Sequence, residues 1–369
     1  MAKGFYLGDP ATGLARKVKK LYIGDPVTGV ARKVKKVYIG DPTTGLARLC
    51  WAAYDSVWAR TLYVDSMFEL QRSFDRGNTW ELVLRDTEIR TNIIAYGCGG
   101  IVFLTYSNGY KLKYIADNSN VIQDCSIPYP NSIAPSFIAS TNNRIIVVYY
   151  QQNQNAYTFE TTDGINFVDK NGTTSIGSNY YTSGRIFGFP VLDSFYMPHG
   201  STGNTNIWSS ISGGIWTDIA NALNDSSMMN YLTFFRGTNR FIAMNTPGGI
   251  YLYTVGLTNF QPDTIASWTF INKSSDFNIN YAYSIASNKS IIVSLFRDPS
   301  NVLWLMYSSD GVTWTKSQSF GIVTGVPKVL FDGEVFVFCT ASYIYSSKDG
   351  ISWSAQSGSN YRDITVKEA

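Results

Sequence analysis

Ser73-Phe74-Asp75-Arg76-Gly77-Asn78-Thr79-Trp80 reads S-x-D-x-G-x-T-W, and variants of it recur to the end of the chain. The clearest are Ser308-Ser309-Asp310-Gly311-Val312-Thr313-Trp314 and Ser347-Lys348-Asp349-Gly350-Ile351-Ser352-Trp353. Weaker ones are Thr161-Thr162-Asp163-Gly164-Ile165-Asn166-Phe167 and Ser210-Ile211-Ser212-Gly213-Gly214-Ile215-Trp216. Each follows a short apolar run and precedes another, the pattern of a hairpin. Glycine accepts the positive φ such a turn needs, and the Asp or Ser side chain bonds nearby backbone N–H groups. The aromatic residue after the turn opens the next strand and buries a large ring. Asp75, Asp163, Asp310 and Asp349 are therefore read as structural turn caps, not as catalytic carboxylates.

Working outward, two further strand starts fit the spacing without the full motif: Val121-Ile122 after Asp117-Asn118-Ser119-Asn120, and Trp268 after Ile265-Ala266-Ser267. A second turn series supports the count of seven units. It comprises Asp55-Ser56, Gly99-Gly100, Asn142-Asn143, Asp193-Ser194, Gly237-Thr238-Asn239, Asn288-Lys289 and Asp332-Gly333. The runs after these turns, such as Ile101–Leu104, Ile145–Val148, Ile291–Val293 and Val335–Phe338, are too apolar for strands covered on one side only. The expected fold is all-β: seven four-stranded units, six to eight being compatible with the spacing, forming a β-propeller over residues 49–369. Ring closure is expected to pair a strand near Leu49–Ala53 with one near Asp363–Val366. Only Asp218–Leu223 has a helix-like look.

Composition agrees. Of 369 residues, 15% are aromatic and 15% charged, the profile of many short strands joined by polar turns. His199 is the only histidine, which excludes His-based metal centres and Ser-His-Asp triads. Cys50, Cys98, Cys125 and Cys339 form no C-x-x-C and read as free thiols. No metal, cofactor or catalytic residue is expected. No apolar run approaches the roughly 18 residues of a membrane span, so membrane insertion is not expected. Met1-Ala2-Lys3-Gly4 leads straight into a repeat with no signal peptide, and synthesis in a cytoplasm is expected.

Charge is uneven. Residues 1–50 hold ten Lys/Arg against three Asp, whereas the whole chain is only +3. Residues 5–20, 21–36 and 37–52 are tandem copies with a period of 16: FYLGDPATGLARKVKK, LYIGDPVTGVARKVKK and VYIGDPTTGLARLCWA. Asp-Pro-x-Thr-Gly makes the turn of each, with Pro fixing φ and Gly closing. Leu14–Gly24 and Val30–Gly40 read as extended runs, giving a β-meander of about four strands over residues 1–48. A sheet this small has little core and needs a partner. Self-association of the repeats or docking to a larger assembly would supply one, with Lys17, Lys19, Lys20, Lys33, Lys35 and Lys36 as anchoring residues. The lysines follow a strand pattern without base-stacking aromatics, so nucleic acid is not the expected partner.

The A-R-K-V-K-K-x-Y-I-G string of residues 4–48 resembles repeats near the N-termini of virion proteins from tailed phages of Gram-positive bacteria. The resemblance implies an anchor joining an exposed domain to other virion proteins, and a virion location after assembly in the host cytoplasm. The turn series of residues 49–369 resembles the Asp-box (BNR-repeat) propellers, a group that includes sialidases. For an enzyme of that kind the resemblance implies three convergent arginines, a Tyr nucleophile with a Glu partner, and an Asp acid. Arg60, Arg90, Arg144, Arg185, Arg240 and Arg297 are present, but Arg185-Ile186-Phe187 stands in place of any Arg-Ile-Pro. The expectation is a receptor-binding, host-surface glycan-binding protein and not an enzyme. A ligand-free decoration protein and a sialidase-type glycoside hydrolase are the alternatives. Polar-aromatic loops supply the candidate ligand residues: Tyr149 and Tyr150, Tyr180 and Tyr181, and His199.

Overall fold

The structure is a computed structural model. It describes residues 56–117, 119–128, 132–149, 157–170, 277–323, 327–358 and 360–367, and outside these it describes strand segments only. The chain divides into two compact units, Met1–Val57 and Trp58–Ala369.

The first unit holds three separate two-stranded antiparallel sheets: β1 (Tyr6–Gly8) with β2 (Ala15–Lys17), β3 (Leu21–Gly24) with β4 (Ala31–Val34), and β5 (Lys36–Gly40) with β6 (Ala47–Ala52). Each 16-residue repeat is thus one hairpin, not part of a continuous four-stranded meander. The expected run Leu14–Gly24 contains two strands that belong to different hairpins. The reason is local: the Asp-Pro-x-Thr-Gly turn pairs each strand with its nearest neighbour. Register repeats with sequence, Tyr6 lying opposite Lys17 and Tyr22 opposite Lys33. Residues Ala47–Ala52 pair with Lys36–Gly40 and so fall in this unit.

The second unit contains, among the described residues, seven antiparallel sheets built on a four-strand path. The first comprises β7 (Trp58–Val64), β8 (Met67–Ser73) and β9 (Glu81–Asp86), plus a strand from the far end of the chain. The second is β10 (Ile89–Gly97), β11 (Gly100–Tyr106), β12 (Tyr110–Ala116) and β13 (Ile122–Asp124). The third is β14 (Phe137–Ser140), β15 (Ile145–Tyr149), β16 (Tyr157–Thr161) and β17 (Val168–Asp169). The fourth is β18 (Phe187–Phe189), β19 (Ser194–Ser201), β20 (Asn204–Ser210) and β21 (Thr217–Leu223). The fifth is β22 (Met229–Phe235), β23 (Arg240–Asn245) and β24 (Tyr251–Thr258), to which both β25 (Gln261–Pro262) and β26 (Thr269–Asn272) pair. The sixth is β27 (Tyr281–Ser287), β28 (Ile292–Arg297), β29 (Val302–Ser308) and β30 (Thr315–Ile322). The seventh is β31 (Leu330–Phe331), β32 (Phe336–Cys339), β33 (Tyr343–Ser347) and β34 (Ser354–Ser357). The C-terminal β35 (Tyr361–Val366) completes the first sheet by pairing with β7, Ile364 opposite Arg60.

Two expectations change. The partner of the C-terminal strand is Trp58–Val64, not Leu49–Ala53, because the latter stretch is engaged by the third hairpin. Asp218–Leu223 is strand β21, paired with β20 across two register shifts; its neighbour in the ladder overrides a weak local helix preference.

Packing follows from the apolar runs. Ile145–Val148 is wholly buried on both faces, as are Ile292 and Val293 and Phe336–Phe338. The buried clusters each span two successive sheets. Val102, Leu104, Leu112 and Tyr114 pack with Ile145, Val147 and Phe159. Phe235 and Ile242 pack with Ile285, Phe296 and Met306. Val293, Leu295 and Leu305 pack with Phe336 and Phe338. Val335, Val337 and Ile344 pack with Trp58, Leu62 and Ile364. Burying each Phe or Leu is worth about 1.5–3 kcal/mol. The first strands of the sheets neighbour one another in series: β35 with β10, then β14, β18, β22, β27 and β31, and β31 again with β35.

Four turns between third and fourth strands share one hydrogen-bond pattern. In the sixth sheet Ser308 Oγ donates to Asp310 Oδ1 at 2.9 Å and accepts the Gly311 N–H at 2.8 Å. Asp310 Oδ1 accepts the N–H groups of Val312 and Thr313 at 2.7 Å each. Asp349 and Asp163 repeat this, and Asp75 does so with one inserted residue, accepting the Thr79 N–H at 2.9 Å and the Thr79 hydroxyl at 2.6 Å. Gly350, at φ 72°, also packs against the preceding sheet, where a Cβ would stand 2.7 Å from Val293 Cγ1. Glycine is needed there for both reasons.

Polar ties join the first sheet to its neighbours. Asp332, 1% exposed in the β31–β32 turn, accepts the Trp58 indole N–H and Arg76 Nε–H at 2.9 Å each, and Arg76 also pairs with Glu334 at 2.7 Å. Arg72 donates to Ala116 O, Ser119 O and Asn120 Oδ1 of the second sheet and pairs with Glu81.

Replacing Asp332 by Ala leaves the buried Trp58 N–H and Arg76 without their acceptor; urea melts should show a loss of about 3 kcal/mol. A second expectation concerns pH. Burial opposes ionisation of Asp163, but hydrogen bonds from Asn166, Ile165 and Thr161 outweigh it and hold the carboxyl at about 2. The charged turn then stabilises the fold above about pH 4, the unfolded value, and this support is lost as pH falls through 2. The stability gap between the parent and Asp163→Asn should accordingly be widest near neutrality and close between pH 4 and pH 2 in denaturant titrations.

Candidate ligand-binding face

Each sheet of the second unit has two ends. One carries the turns between strands one and two and between strands three and four, where the aspartates are consumed as caps. The other carries the turns between strands two and three and the links between sheets. Aromatic rings gather at this second end. Tyr106 and Tyr110 flank the 107–109 turn with ring centroids 4.8 Å apart, and Tyr63 and Phe68 flank the 65–66 turn at the same separation. That turn is two residues long with Asp65 and Ser66 both at positive φ, the geometry that matches strand twist and brings the flanking rings together. Tyr281 opens β27, and Tyr343 opens β33 beside Tyr345. Tyr106, Tyr281 and Tyr343 are each 42% exposed.

Arginines stack on these rings. Arg90 lies 4.9 Å above Tyr106, Arg297 4.7 Å above Tyr281 and 5.7 Å from Tyr283, and Arg362 5.9 Å from Tyr63. Arg297 is cross-strand partner to Tyr281, which fixes the contact. Tyr283 has its hydroxyl pKa raised by burial, against the opposing pull of Arg297, so it stays neutral. Ring faces and guanidinium planes together can stack on sugars and bond hydroxyl or anionic oxygens.

The residues singled out from sequence are placed as follows. Tyr149 ends β15, is 4% exposed and packs edge-on against Phe159, a core position. Tyr157, which starts β16, pairs with it, so the intervening loop leaves from the ring-bearing end. Tyr150, Tyr180 and Tyr181 lie outside the described residues. His199 is in strand β19 opposite Asn206, not in a loop; the hairpin begins earlier than its Pro-His-Gly composition implied. Lys17, Lys33 and Lys36 are strand residues of the N-terminal hairpins, while Lys19, Lys20 and Lys35 lie outside the described residues. Sequence reasoning missed Tyr63, Tyr106, Tyr281 and Arg362, and named Arg90 and Arg297 only among the arginines weighed for a sialidase-type site. The readable signal was an aromatic residue on each side of a short turn, as in Tyr106-Ser107-Asn108-Gly109-Tyr110.

At the opposite end sits a buried acid. Asp117 accepts the Tyr96 hydroxyl at 2.5 Å, and its Oδ1 is buried without a hydrogen-bond partner. Burial raises the carboxyl to about 6, opposed by the Tyr96 bond and by the charges of Lys367 and Arg72.

No family model matches the chain, and no curated protein matches it. Solved structures do. A prolyl endopeptidase matches with a TM-score of 0.57 and 9% identity over 86% of this chain, which spans 51% of that protein. Apo AztD from Citrobacter koseri matches at 0.50 and 11% identity over 84% of this chain and 97% of its own. YCF48 from Cyanidioschyzon merolae matches at 0.50 and 11% over 83% and 96%. Identities this low show the fold alone: an all-β, propeller-like arrangement of antiparallel sheets.

Because the folded pKa of Asp117 lies above the unfolded value of about 4, its ionisation costs stability as pH rises from 4 past 6. Asp117→Asn should lose less stability than the parent between pH 4 and pH 7, read from thermal melts at each pH.

Proposed function

We propose that the chain is a virion structural protein of a tailed phage, with the second unit a seven-bladed β-propeller that binds glycan on the host surface. The first unit is its anchor to other virion proteins, with self-association of the repeats as a further contact. The observation that carries the binding reading is the end of the second unit where Tyr63, Tyr106 and Tyr281 stand half-buried beside arginines and Tyr343 stands half-exposed beside Tyr345. Proteins that hold sugars use such rings for stacking and charged or polar forks for orientation. The blade count is supported by the seven sheets, by the serial adjacency of their first strands, and by β35 returning to pair with β7. Closure of this kind leaves no long exposed edge.

The anchor reading is supported by the tandem basic repeats and by the size of the hairpins, three to six residues per strand. Hairpins this short are marginal in isolation and gain order from a partner. The protein is read as a binder and not as an enzyme: its repeated aspartates accept hydrogen bonds from their own turns, which favour the charged form and make them poor proton donors.

The full chain should bind at least one envelope polysaccharide on a glycan array without releasing product; measurable turnover of a bound glycan would replace the binder with a hydrolase. Removing residues 1–57 should leave the melting transition of the body in place and abolish co-sedimentation with particles. Retained co-sedimentation would refute the anchor.

A further inference from the structure

Four arginines of the second unit are neutralised by carboxylates. Arg72 pairs with Glu81, Arg76 with Asp332 and Glu334, Arg85 with Glu69, and Arg144 with Glu160 at 3.8 Å. Among the described residues Arg60, Arg90, Arg297 and Arg362 have no carboxylate within ion-pair distance and rest on aromatic rings; Arg60 is engaged by Gln71 and the Tyr361 hydroxyl, which leaves Arg90, Arg297 and Arg362. The Nε of Arg297 is buried and has no hydrogen-bond partner. A buried guanidinium N–H without an acceptor is costly, and the cost is relieved when a ligand supplies one.

The three belong to neighbouring sheets. Arg297 is in the sixth and Arg362 and Arg90 in the first and second, with half-exposed Tyr343 in the seventh between them. First strands of these sheets adjoin in that order, β27, β31, β35 and β10. All three arginines lie at the end where the aromatic rings gather.

Resting on the glycan-binding reading above, we infer that this arc selects an acidic polysaccharide. Its sugar rings stack on Tyr106, Tyr281 and Tyr343, and its anionic groups are taken by the guanidinium forks of Arg90, Arg297 and Arg362. The planar fork binds carboxylate or phosphate oxygens in pairs, which a neutral hydroxyl cannot match. Charge complementarity on a rim of this kind also speeds encounter and makes binding sensitive to salt.

The test is titration of the full chain with polygalacturonate, with poly(glycerol phosphate) and with neutral dextran by biolayer interferometry. The parent is compared with an Arg90→Gln/Arg297→Gln/Arg362→Gln variant and with Lys348→Gln as a charge control at the opposite end. Circular dichroism checks that each variant keeps the parent's melting transition. Binding to a polyanion and not to dextran, weakened about 10-fold or more in the triple variant and weakened further by added salt, supports the inference. Whichever polyanion binds tighter tells carboxylate from phosphodiester. Equal weakening by Lys348→Gln would mean diffuse charge attraction and overturn it. Dextran binding that survives the triple substitution would overturn acid selectivity while leaving glycan binding intact. Absence of binding to all three would overturn both.

Discussion

A sheet that is apolar on both faces cannot stand in water, and the second, third and seventh sheets of the second unit have central strands of this kind. Ile145–Val148 has no exposed face, and neither do Ile101–Leu104 or Phe336–Phe338. One neighbour covers only half of such a sheet, so each must lie between two others, and a row of them would leave both terminal faces wet. The chain resolves this by using both of its ends in one sheet. Tyr361–Val366 pairs with Trp58–Val64, and Trp58, Leu62 and Ile364 then pack against Val335, Val337 and Ile344 of the seventh sheet. At about 25 cal/mol per Å² of apolar surface, uncovering one such interface costs several kcal/mol, comparable to the whole net stability of a domain. The buried Asp332 that ties Trp58 and Arg76 together sits at this junction between the seventh and first sheets.

The turn aspartates explain why the two ends of the sheets differ. The carboxylates of Asp163, Asp310 and Asp349 each accept two backbone N–H groups and a hydroxyl from their own turns, and Asp75 one N–H and two hydroxyls. Such a turn is rigid, repeated and chemically spent. The other end is built from turns whose sequences do not repeat, so its residues are free to diverge. Rings and guanidinium groups meet there, Arg90 with Tyr106 and Arg297 with Tyr281.

How far this was readable in advance depends on range. Asp310 and Asp349 announce their turns because every partner lies within five residues. The apolar runs announce two-sided burial because a strand reports its own environment. The pairing of Tyr361–Val366 with Trp58–Val64 spans nearly the whole chain. Sequence marked the C-terminal strand but not its partner, since Leu49–Ala53 and Trp58–Val64 are both apolar and aromatic, and only the pairing of Ala47–Ala52 with the third hairpin separates them. The ring-bearing end was mostly hidden. Tyr149 and Tyr106 both end second strands, yet one is buried against Phe159 and the other stands beside Arg90. That difference is made by the neighbouring strands and sheets, which no local pattern encodes.

The first unit obeys the opposite logic. Its hairpins have strands of three to six residues, and their identity comes from repetition: the registers Tyr6 to Lys17 and Tyr22 to Lys33 are the same pairing sixteen residues apart. A single such hairpin offers a partner only a weak contact. If the repeats dock to a partner as proposed, near-identical copies in tandem would make later contacts intramolecular and raise avidity without any one hairpin becoming a stable domain. The third copy departs from the pattern after Arg48, and Leu49 stands opposite Tyr38 where the earlier copies place lysine.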